Sequence, residues 1–146
     1  NIYGPGMKEN DYRVLPNIGS RIKANKAIQI YGSGKQTRTF CYITDAIVGF
    51  LSTFIDGVPG EAYNIGQPEP EISMVDLVKM VEKVTGNGIK KEIIEYPDSY
   101  PADEPMRRCP DIRKANLQLG YRPQVTLEDG LTRFLKWADT NYTGKQ

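Results

Sequence analysis

The stretch that most restricts the fold of this chain runs from residue 32 to residue 45 and reads Gly32-Ser33-Gly34-Lys35-Gln36-Thr37-Arg38-Thr39-Phe40-Cys41-Tyr42-Ile43-Thr44-Asp45. The two glycines predict a turn after a strand, and the aromatic run predicts a short buried strand after a polar loop. Thr44 or Asp45 then has the side chain expected of a helix N-cap. A guanidinium at the entry to a buried strand is a planar pair of donors that suits phosphate oxygens, so Arg38 is a candidate phosphate ligand. A surface salt bridge is the alternative role for Arg38.

Outward from this stretch, strands and helices interleave, which favours an α/β class. Periodicity and turn residues predict helices at residues 14–24, 45–54, 73–84 and 111–119 and from residue 126 onward, and strands at residues 27–31, 39–43, 62–65 and 89–96. Residues 98–110 form a polar loop broken by prolines, and a loop of that length is often functional. The strands are too few for a complete doubly wound sheet, so we expect the rest of the sheet in another part of the protein.

Two helices have clear end signals. Ser73 and Asp76 resemble a capping box, and Gly86 is placed to end the helix that they open. Thr126 is placed to cap the last helix. The apolar residues of that helix recur at helical spacing and predict a buried stripe made of Leu127, Leu131, Phe134, Leu135 and Ala138.

Composition excludes several classes of function. The 146 residues suit about one domain, and the net charge of +1 gives no electrostatic basis for binding nucleic acid. No apolar run approaches the length of a membrane span, and no signal peptide is visible. The chain has no histidine and only two cysteines, without a CxxC pair, which argues against a metal centre. We expect two reduced, mostly buried thiols in a cytoplasmic protein.

Four motifs occur in order along the chain: NIYGP from residue 1, QIYGSGKQTR from residue 29, YNIG from residue 63 and RCPDI from residue 108. Together they resemble the C-terminal, substrate-binding portion of the extended short-chain dehydrogenase/reductase family, which contains NAD-dependent epimerases and dehydratases. The resemblance covers essentially the whole chain. It implies a partial α/β fold of short strands with flanking helices, a nucleotide sugar linked to UDP or dTDP as substrate, and NAD as cofactor.

The resemblance also implies a reaction in the intact enzyme. In this family NAD oxidises the sugar at C4, after which elimination, decarboxylation or epimerisation follows. Within the family, the Gln36-Thr37-Arg38 loop and the segment 103–112 are most similar to UDP-glucuronate decarboxylases. Those enzymes usually carry an arginine where this chain has Gly6. A 4-epimerase or a 4,6-dehydratase that serves surface polysaccharide biosynthesis therefore stays open.

The resemblance places the NAD site in an N-terminal Rossmann domain that is absent from residues 1–146. No Gly-x-Gly-x-x-Gly follows a strand in this sequence. Tyr31 and Lys35 have the spacing of the family's catalytic Tyr-x-x-x-Lys, but the two glycines between them predict a turn rather than a helix. We therefore expect no catalytic, cofactor-binding or metal-binding residue here, and we expect the isolated chain to be inactive.

The family motifs imply a set of substrate-binding residues: Asn1, Arg13, Val14, Leu15, Gln29, Tyr31, Arg38, Asn64 and Arg108. Arg107 competes with Arg108 for the phosphate, because spacing barely separates them. Asn64 could instead hold its own turn. Tyr31 is expected either to stack on the nucleobase or to be an ordinary half-buried strand tyrosine. Asp103 and Glu104 are expected to be solvated rather than a catalytic pair.

The expected partners are the nucleotide sugar and the Rossmann domain. The helix at residues 45–54 would normally pack on the sheet of that domain, so this chain should expose apolar surface. Self-association, for instance as a homodimer, would also cover it. The first residue is Asn1 rather than Met, which favours a piece of a longer protein, although processing or a trimmed sequence stays open. A non-catalytic binding or interaction module is the alternative function.

Overall fold

The computed structural model describes residues 1–9, 11–86, 88–96 and 105–145. Within these ranges, helices and short strands interleave, as the α/β prediction requires. In chain order the elements are β1 (Ile2–Tyr3), α1 (Val14–Lys23), β2 (Ile28–Tyr31), β3 (Thr37–Arg38), β4 (Cys41–Tyr42), α2 (Ile43–Asp56), β5 (Ile72–Ser73), α3 (Met74–Thr85), β6 (Lys91–Ile94), β7 (Arg107–Arg108), α4 (Arg113–Leu119) and α5 (Leu127–Asn141).

The strands of the described residues form three small sheets. β1 pairs with β4, and β2 pairs with β6, both in parallel. The third sheet has the order β5–β3–β7, in which β3 is antiparallel to β5 and parallel to β7. This central position of β3 brings together three segments that lie far apart in the sequence.

The hydrophobic core lies where α5 packs against α1 and α3. The apolar stripe predicted for α5 is confirmed, although Leu135 is only half-buried. The ring of Tyr3 meets the ring of Phe134 edge-on at 6.1 Å, which joins β1 to this core. Each fully buried side chain of this size stabilises the fold by about 1.5–3 kcal/mol. The buried residues of the α5 stripe are Leu127, Gly130, Leu131, Phe134 and Ala138.

The predicted helix ends are confirmed where local capping decides them. The hydroxyl of Ser73 accepts from the Asp76 N–H at 3.1 Å and opens α3. Gly86 then ends that helix in the left-handed conformation, with φ of 67°. The hydroxyl of Thr126 accepts from the Asp129 N–H at 3.2 Å and opens α5.

The prediction that Thr44 or Asp45 caps α2 is wrong. The helix begins at Ile43, with Tyr42 in the N-cap position and no side-chain cap. Asp45 lies in the first turn and is buried. Its Oδ2 accepts instead from two backbone N–H groups of the segment between α4 and α5, those of Gln124 at 3.0 Å and Val125 at 2.8 Å. A buried carboxylate needs hydrogen-bond donors, and here a distant loop supplies them.

Two predicted strands also differ from the structure. Residues 39–43 are not one strand, because Thr39 and Phe40 separate β3 from β4 and α2 begins at Ile43. Residues 62–65 form no strand with any described residue. A strand exists only where its backbone groups find a partner, and sequence alone does not locate that partner.

The predicted loop at residues 98–110 is only partly described. Residues 98–104, including Asp103 and Glu104, lie outside the described residues, and Arg107 and Arg108 form β7. The side chain of Asp111 accepts from the backbone N–H of Arg113, so it provides an acceptor for the first N–H group of α4. The helix begins two residues later than predicted, with Ile112 in the N-cap position.

One face of α2 is apolar and exposed, as the sequence predicts. The described residues leave its large side chains exposed, and Phe54 is 88% exposed. So much exposed apolar surface is unusual for a monomer. None of the described helices is long and apolar enough to cross a membrane. The exposed apolar residues of α2 are Ile47, Val48, Phe50, Leu51, Phe54 and Ile55.

We predict that Asp45→Ala lowers the free energy of unfolding by about 1.5–3 kcal/mol, because two backbone N–H groups lose their hydrogen bonds to a buried carboxylate. Asp45→Asn should cost less, since its amide oxygen can still accept. Urea denaturation followed by circular dichroism measures the effect. Asp56→Ala, at the exposed end of the same helix, is the control. Equal stability of the Asp45→Ala and Asp56→Ala variants would contradict this role for Asp45.

Candidate functional site

Two of the arginines singled out by sequence face each other across the β3–β7 ladder. Arg38 is the partner of Arg108, and Thr37 is the partner of Arg107. The backbone N–H of Thr37 donates to Met106 O at 2.8 Å, and that of Thr39 donates to Arg108 O at 3.2 Å. Partners in adjacent strands project to the same face of a sheet. Arg38 and Arg108, called the arginine pair below, therefore share one face.

The guanidinium of Arg38 is held in place by the backbone. The residue is only 5% exposed, which is unusual for arginine. Its Nη1 donates to Thr37 O at 2.7 Å and to Met106 O at 3.3 Å. Burying a charge is costly unless it is paired or hydrogen-bonded, so these bonds explain how the fold tolerates it. A fixed buried guanidinium is well suited to binding an anion.

Arg107 and Arg108 have different surroundings, which spacing alone could not show. The Nε of Arg107 donates to both carboxylate oxygens of Glu71, each at 3.0 Å, and its Nη2 lies 2.8 Å from Glu71 Oε2. Arg108 is exposed and lies next to Arg38 across the ladder. The geometry therefore favours Arg108 as the partner of Arg38 in binding a phosphate.

A cavity of about 480 Å³ is lined by both Arg107 and Arg108, whereas Arg38 lies next to Arg108 in the ladder and is not among the lining residues. The Nδ2 of Asn1 donates to Thr39 O at 3.1 Å and so connects β1 with the end of β3 at its wall. Four separate chain segments meet there, which is typical of a ligand site rather than of a packing defect. The lining residues are Asn1, Ile2, Thr39, Cys41, Ile65, Gly66, Gln67, Arg107, Arg108, Cys109 and Pro110.

Positive charge gathers around Asn1. The side chains of Arg108, Arg13 and Arg38 lie close enough to this residue to act electrostatically on it. The three arginines predicted to bind substrate thus act on one point of the cavity wall. Such a local potential attracts an anionic ligand.

Neither thiol has the setting of a nucleophile. Both cysteines are free, and both line the cavity. Burial raises the pKa of Cys41, whose Sγ lies 3.7 Å from the Tyr121 hydroxyl, so the thiol stays protonated at neutral pH. The Sγ of the half-buried Cys109 donates to Pro68 O at 3.4 Å.

The other predicted ligands on β2 are engaged by neighbouring side chains. Gln29 and Tyr31 share the less buried face of the strand, as its alternation predicts. The Nε2 of Gln29 donates to Glu92 Oε1 at 3.0 Å. The ring of Tyr31 stacks on Tyr96, with centroids 5.7 Å apart and planes inclined by 18°. A nucleobase would therefore meet a pair of stacked rings rather than Tyr31 alone.

The predicted ligands at the start of α1 are arranged differently from one another. The guanidinium of Arg13 bonds to the Asp11 carboxylate, with Nε at 3.0 and 2.9 Å from its two oxygens, and these bonds lower the pKa of Asp11. Val14 is half-buried at the first turn of the helix. The side chain of Leu15 lies in the core, so only its backbone could contact a ligand.

Asn64 is not among the residues that line the cavity. Its Nδ2 donates to Asp111 O at 3.0 Å, which joins the segment after α2 to the start of α4. The hydrogen bonds of Arg113 lower the pKa of Asp111 to about 2. Asn64 thus bonds to a distant segment rather than to its own turn, and its contact with a substrate stays a prediction.

The described residues do not fit NAD. Residues 31–35 form a turn at the end of β2, with Gly32 and Gly34 at φ of 58° and 66°, so Tyr31 and Lys35 cannot share a helix turn. The turn predicted for the two glycines is thus confirmed. Within the ranges that the structure describes, no three His, Cys, Asp or Glu side chains are grouped to hold a metal ion.

Sequence reasoning missed part of the site. Thr39, Gly66 and Gln67 line the cavity, and Glu71 binds Arg107. Gly66 is the last residue of the YNIG motif. Its membership of a family motif was the signal that could have identified it as part of the site. Nothing local to Glu71 predicted a contact with a residue 36 positions away.

Comparison with known proteins decides the relationship. Over residues 1–66 this chain matches the NAD dependent epimerase/dehydratase family. UDP-glucuronic acid decarboxylase 1 of Xenopus tropicalis is 36% identical to it over 137 residues, which are 94% of this chain and 31% of the relative. The chain is thus a fragment similar to that family, and it spans about a third of the length of the curated relatives that it matches.

Solved structures support the same relationship. UDP-glucuronic acid 4-epimerase from Bacillus cereus, in complex with UDP-glucuronic acid and NAD, matches 97% of this chain with a TM-score of 0.84 and 31% identity, and 43% of the epimerase is covered. A dTDP-glucose 4,6-dehydratase from Streptomyces venezuelae with NAD bound has a TM-score of 0.84 and 25% identity, with 97% and 42% covered. The fold is thus a mixed α/β partial fold of this family.

We predict that Arg108→Ala weakens binding of UDP by about 1.5–3 kcal/mol, because a charge-assisted bond to phosphate is lost. Arg107→Ala should leave the affinity nearly unchanged, since its guanidinium is paired with Glu71. NMR titration of the chain with UDP measures both. Equal losses in the two variants would contradict the assignment of Arg108.

Proposed function

We propose that this chain is the nucleotide-sugar-binding part of an NAD-dependent enzyme that acts on UDP-glucuronic acid. The observation that carries the proposal is the arginine pair beside the cavity. Arg108 lines this cavity, and Arg38 lies next to it across the ladder. Planar guanidinium groups bind the oxygens of a pyrophosphate through paired hydrogen bonds.

The identity of the sugar is supported by the relatives. The Xenopus protein is a UDP-glucuronic acid decarboxylase, and the Bacillus epimerase was solved with UDP-glucuronic acid. These two reactions differ, but their names share one substrate. In our proposal, Arg38 and Arg108 bind the phosphates, Asn1 contacts the sugar, and Tyr31 with Gln29 contacts the base.

Decarboxylation is the reaction that we place first. Eight of the curated relatives, from vertebrates and a plant, are UDP-glucuronic acid decarboxylases. Gly6 is the departure from the pattern of those enzymes, because it removes a cation. Lys8, Arg13 or a residue outside this chain would then have to bind the sugar carboxylate. Epimerisation at C4, or dehydration of a neutral UDP- or dTDP-hexose, is the alternative within the family.

The cofactor belongs, in this proposal, to a Rossmann domain outside residues 1–146. NAD supplies the redox chemistry of the family, and the described residues offer no loop or helix that fits it. The apolar face of α2 supports the idea of a missing partner, since a surface of that size and composition is typical of an interface. A homodimer is a second occupant that the same face allows.

We predict that the isolated chain neither turns over UDP-glucuronic acid nor binds NAD tightly. The reason is that it lacks the phosphate-binding glycine loop and the Tyr-x-x-x-Lys helix. Isothermal titration calorimetry with NAD measures this directly, and a family enzyme that retains its Rossmann domain is the positive control. Micromolar affinity for NAD in this chain alone would mean that the cofactor site is misplaced.

The reaction itself is tested on the chain joined to the Rossmann domain of its own gene. We predict that UDP-glucuronic acid is converted with loss of carbon dioxide, which mass spectrometry of the products detects. UDP-glucose and dTDP-glucose are the matched neutral substrates. A product of unchanged mass from UDP-glucuronic acid would indicate epimerisation instead, and loss of water from a hexose would indicate dehydration. An open reading frame that begins at Asn1 would contradict the enzyme proposal and favour a binding module.

A further inference from the structure

The carboxylate of Glu71 joins two strands on the face opposite the arginine pair. Glu71 directly precedes β5, and its Oε1 accepts from the Thr37 hydroxyl of β3 at 2.5 Å. Both of its oxygens accept from Arg107 of β7. Thr37 and Arg107 are partners in the ladder, so the Glu71 carboxylate binds one residue of each strand at the same position.

The register of β7 needs such a contact, because β7 consists of two consecutive arginines. Side chains alternate between faces, so a slip by one residue would put Arg107 beside Arg38 and would move Arg108 to the other face. The ladder itself is short. β3 and β7 are two residues long, and the bonds to Met106 O and Arg108 O lie at the two ends of their pairing. Strands this short have little intrinsic stability.

We infer that Glu71 is a positioning residue that fixes the register of β7 and so selects Arg108, rather than Arg107, to stand beside Arg38. The inference rests on the proposed function, in which the arginine pair binds the phosphates of the substrate. Glu71 contacts neither the cavity nor a ligand in this role. It acts by giving Arg107 a partner on one face, which leaves Arg108 on the other.

Charge supports this selection. The hydrogen bonds from Thr37 and then Arg107 lower the pKa of Glu71, so the carboxylate is ionised at neutral pH. The bidentate contact with Arg107 has the geometry that makes guanidinium–carboxylate pairs specific. In the slipped register Glu71 would lose that geometry.

The first test measures register without any ligand. In NMR spectra of the chain, backbone NOE contacts should join Arg38 to Arg108. In Glu71→Ala we expect additional contacts between Arg38 and Arg107, which report the slipped register. Glu71→Gln keeps one acceptor oxygen, which can still accept from Thr37 and from Arg107 Nε, so it should restore the native contacts at least in part. Unchanged contacts in Glu71→Ala, or loss of both sets, would overturn the inference.

Glu82→Ala is the matched control. Glu82 is exposed to nearly the same extent as Glu71, with 26% against 29% of the side chain accessible. It also accepts from one cation through both oxygens, at 3.0 and 3.1 Å from Lys91 Nζ. Loss of this ion pair should leave the contacts of β3 and β7 unchanged. New Arg38–Arg107 contacts in Glu82→Ala would show a general loss of stability and would overturn register selection.

The second test is a double-mutant cycle with UDP as the probe. In the Glu71→Ala background, Arg108→Ala should cost at least about threefold less affinity than in the native background, because Arg107 can replace Arg108. A merely structural role for Glu71 leaves the cost of Arg108→Ala unchanged, and that result would overturn the inference. If the native chain does not bind UDP, the proposed function fails, while the NOE contacts still decide whether Glu71 sets the register.

Discussion

The site depends on the pairing of β3 with a strand on each side. This two-residue strand holds β5 through an antiparallel ladder and β7 through a parallel one. The pairing places Arg38 beside Arg108 and also directs Thr37 toward Arg107. Two guanidinium groups on one face repel each other, and partial burial strengthens that repulsion. On the other face Glu71 binds Arg107, and on this face the arginine pair lies at the edge of the cavity.

Sequence predicted the elements whose cause is local. Ser73 and Thr126 cap their helices with their own side chains, and Gly86 ends α3 through a backbone conformation that glycine favours. Elements that need distant partners were predicted poorly. Asp45 has the composition of a cap, but it binds two N–H groups about 80 residues away. Residues 62–65 have the composition of a strand, but no described strand pairs with them.

The same contrast holds for the site. The family motifs identified Arg38, Arg108 and Asn1, which the fold brings to one cavity or its edge. They could not separate Arg107 from Arg108, because the choice depends on Glu71, which is distant in sequence. The exposed face of α2, in contrast, could be predicted from local sequence alone. The helix has more apolar side chains than the described residues cover, so its sequence itself indicates a partner.

Recognition of an acidic sugar requires a cation in addition to the arginine pair. Gly6 supplies none, and its φ of 93° disfavours any larger residue in this turn, although the space around it is open to the described residues. Arg13 is one of the candidates, together with Lys8 or a residue outside this chain, and it is paired with Asp11. An ion pair with an exposed guanidinium contributes little stability, so a ligand carboxylate can replace Asp11 at small cost. In the proposed function, phosphate binding is common to all the candidate substrates. If Arg13 is the cation that binds the sugar carboxylate, preference for an acidic sugar then depends on whether Asp11 releases it.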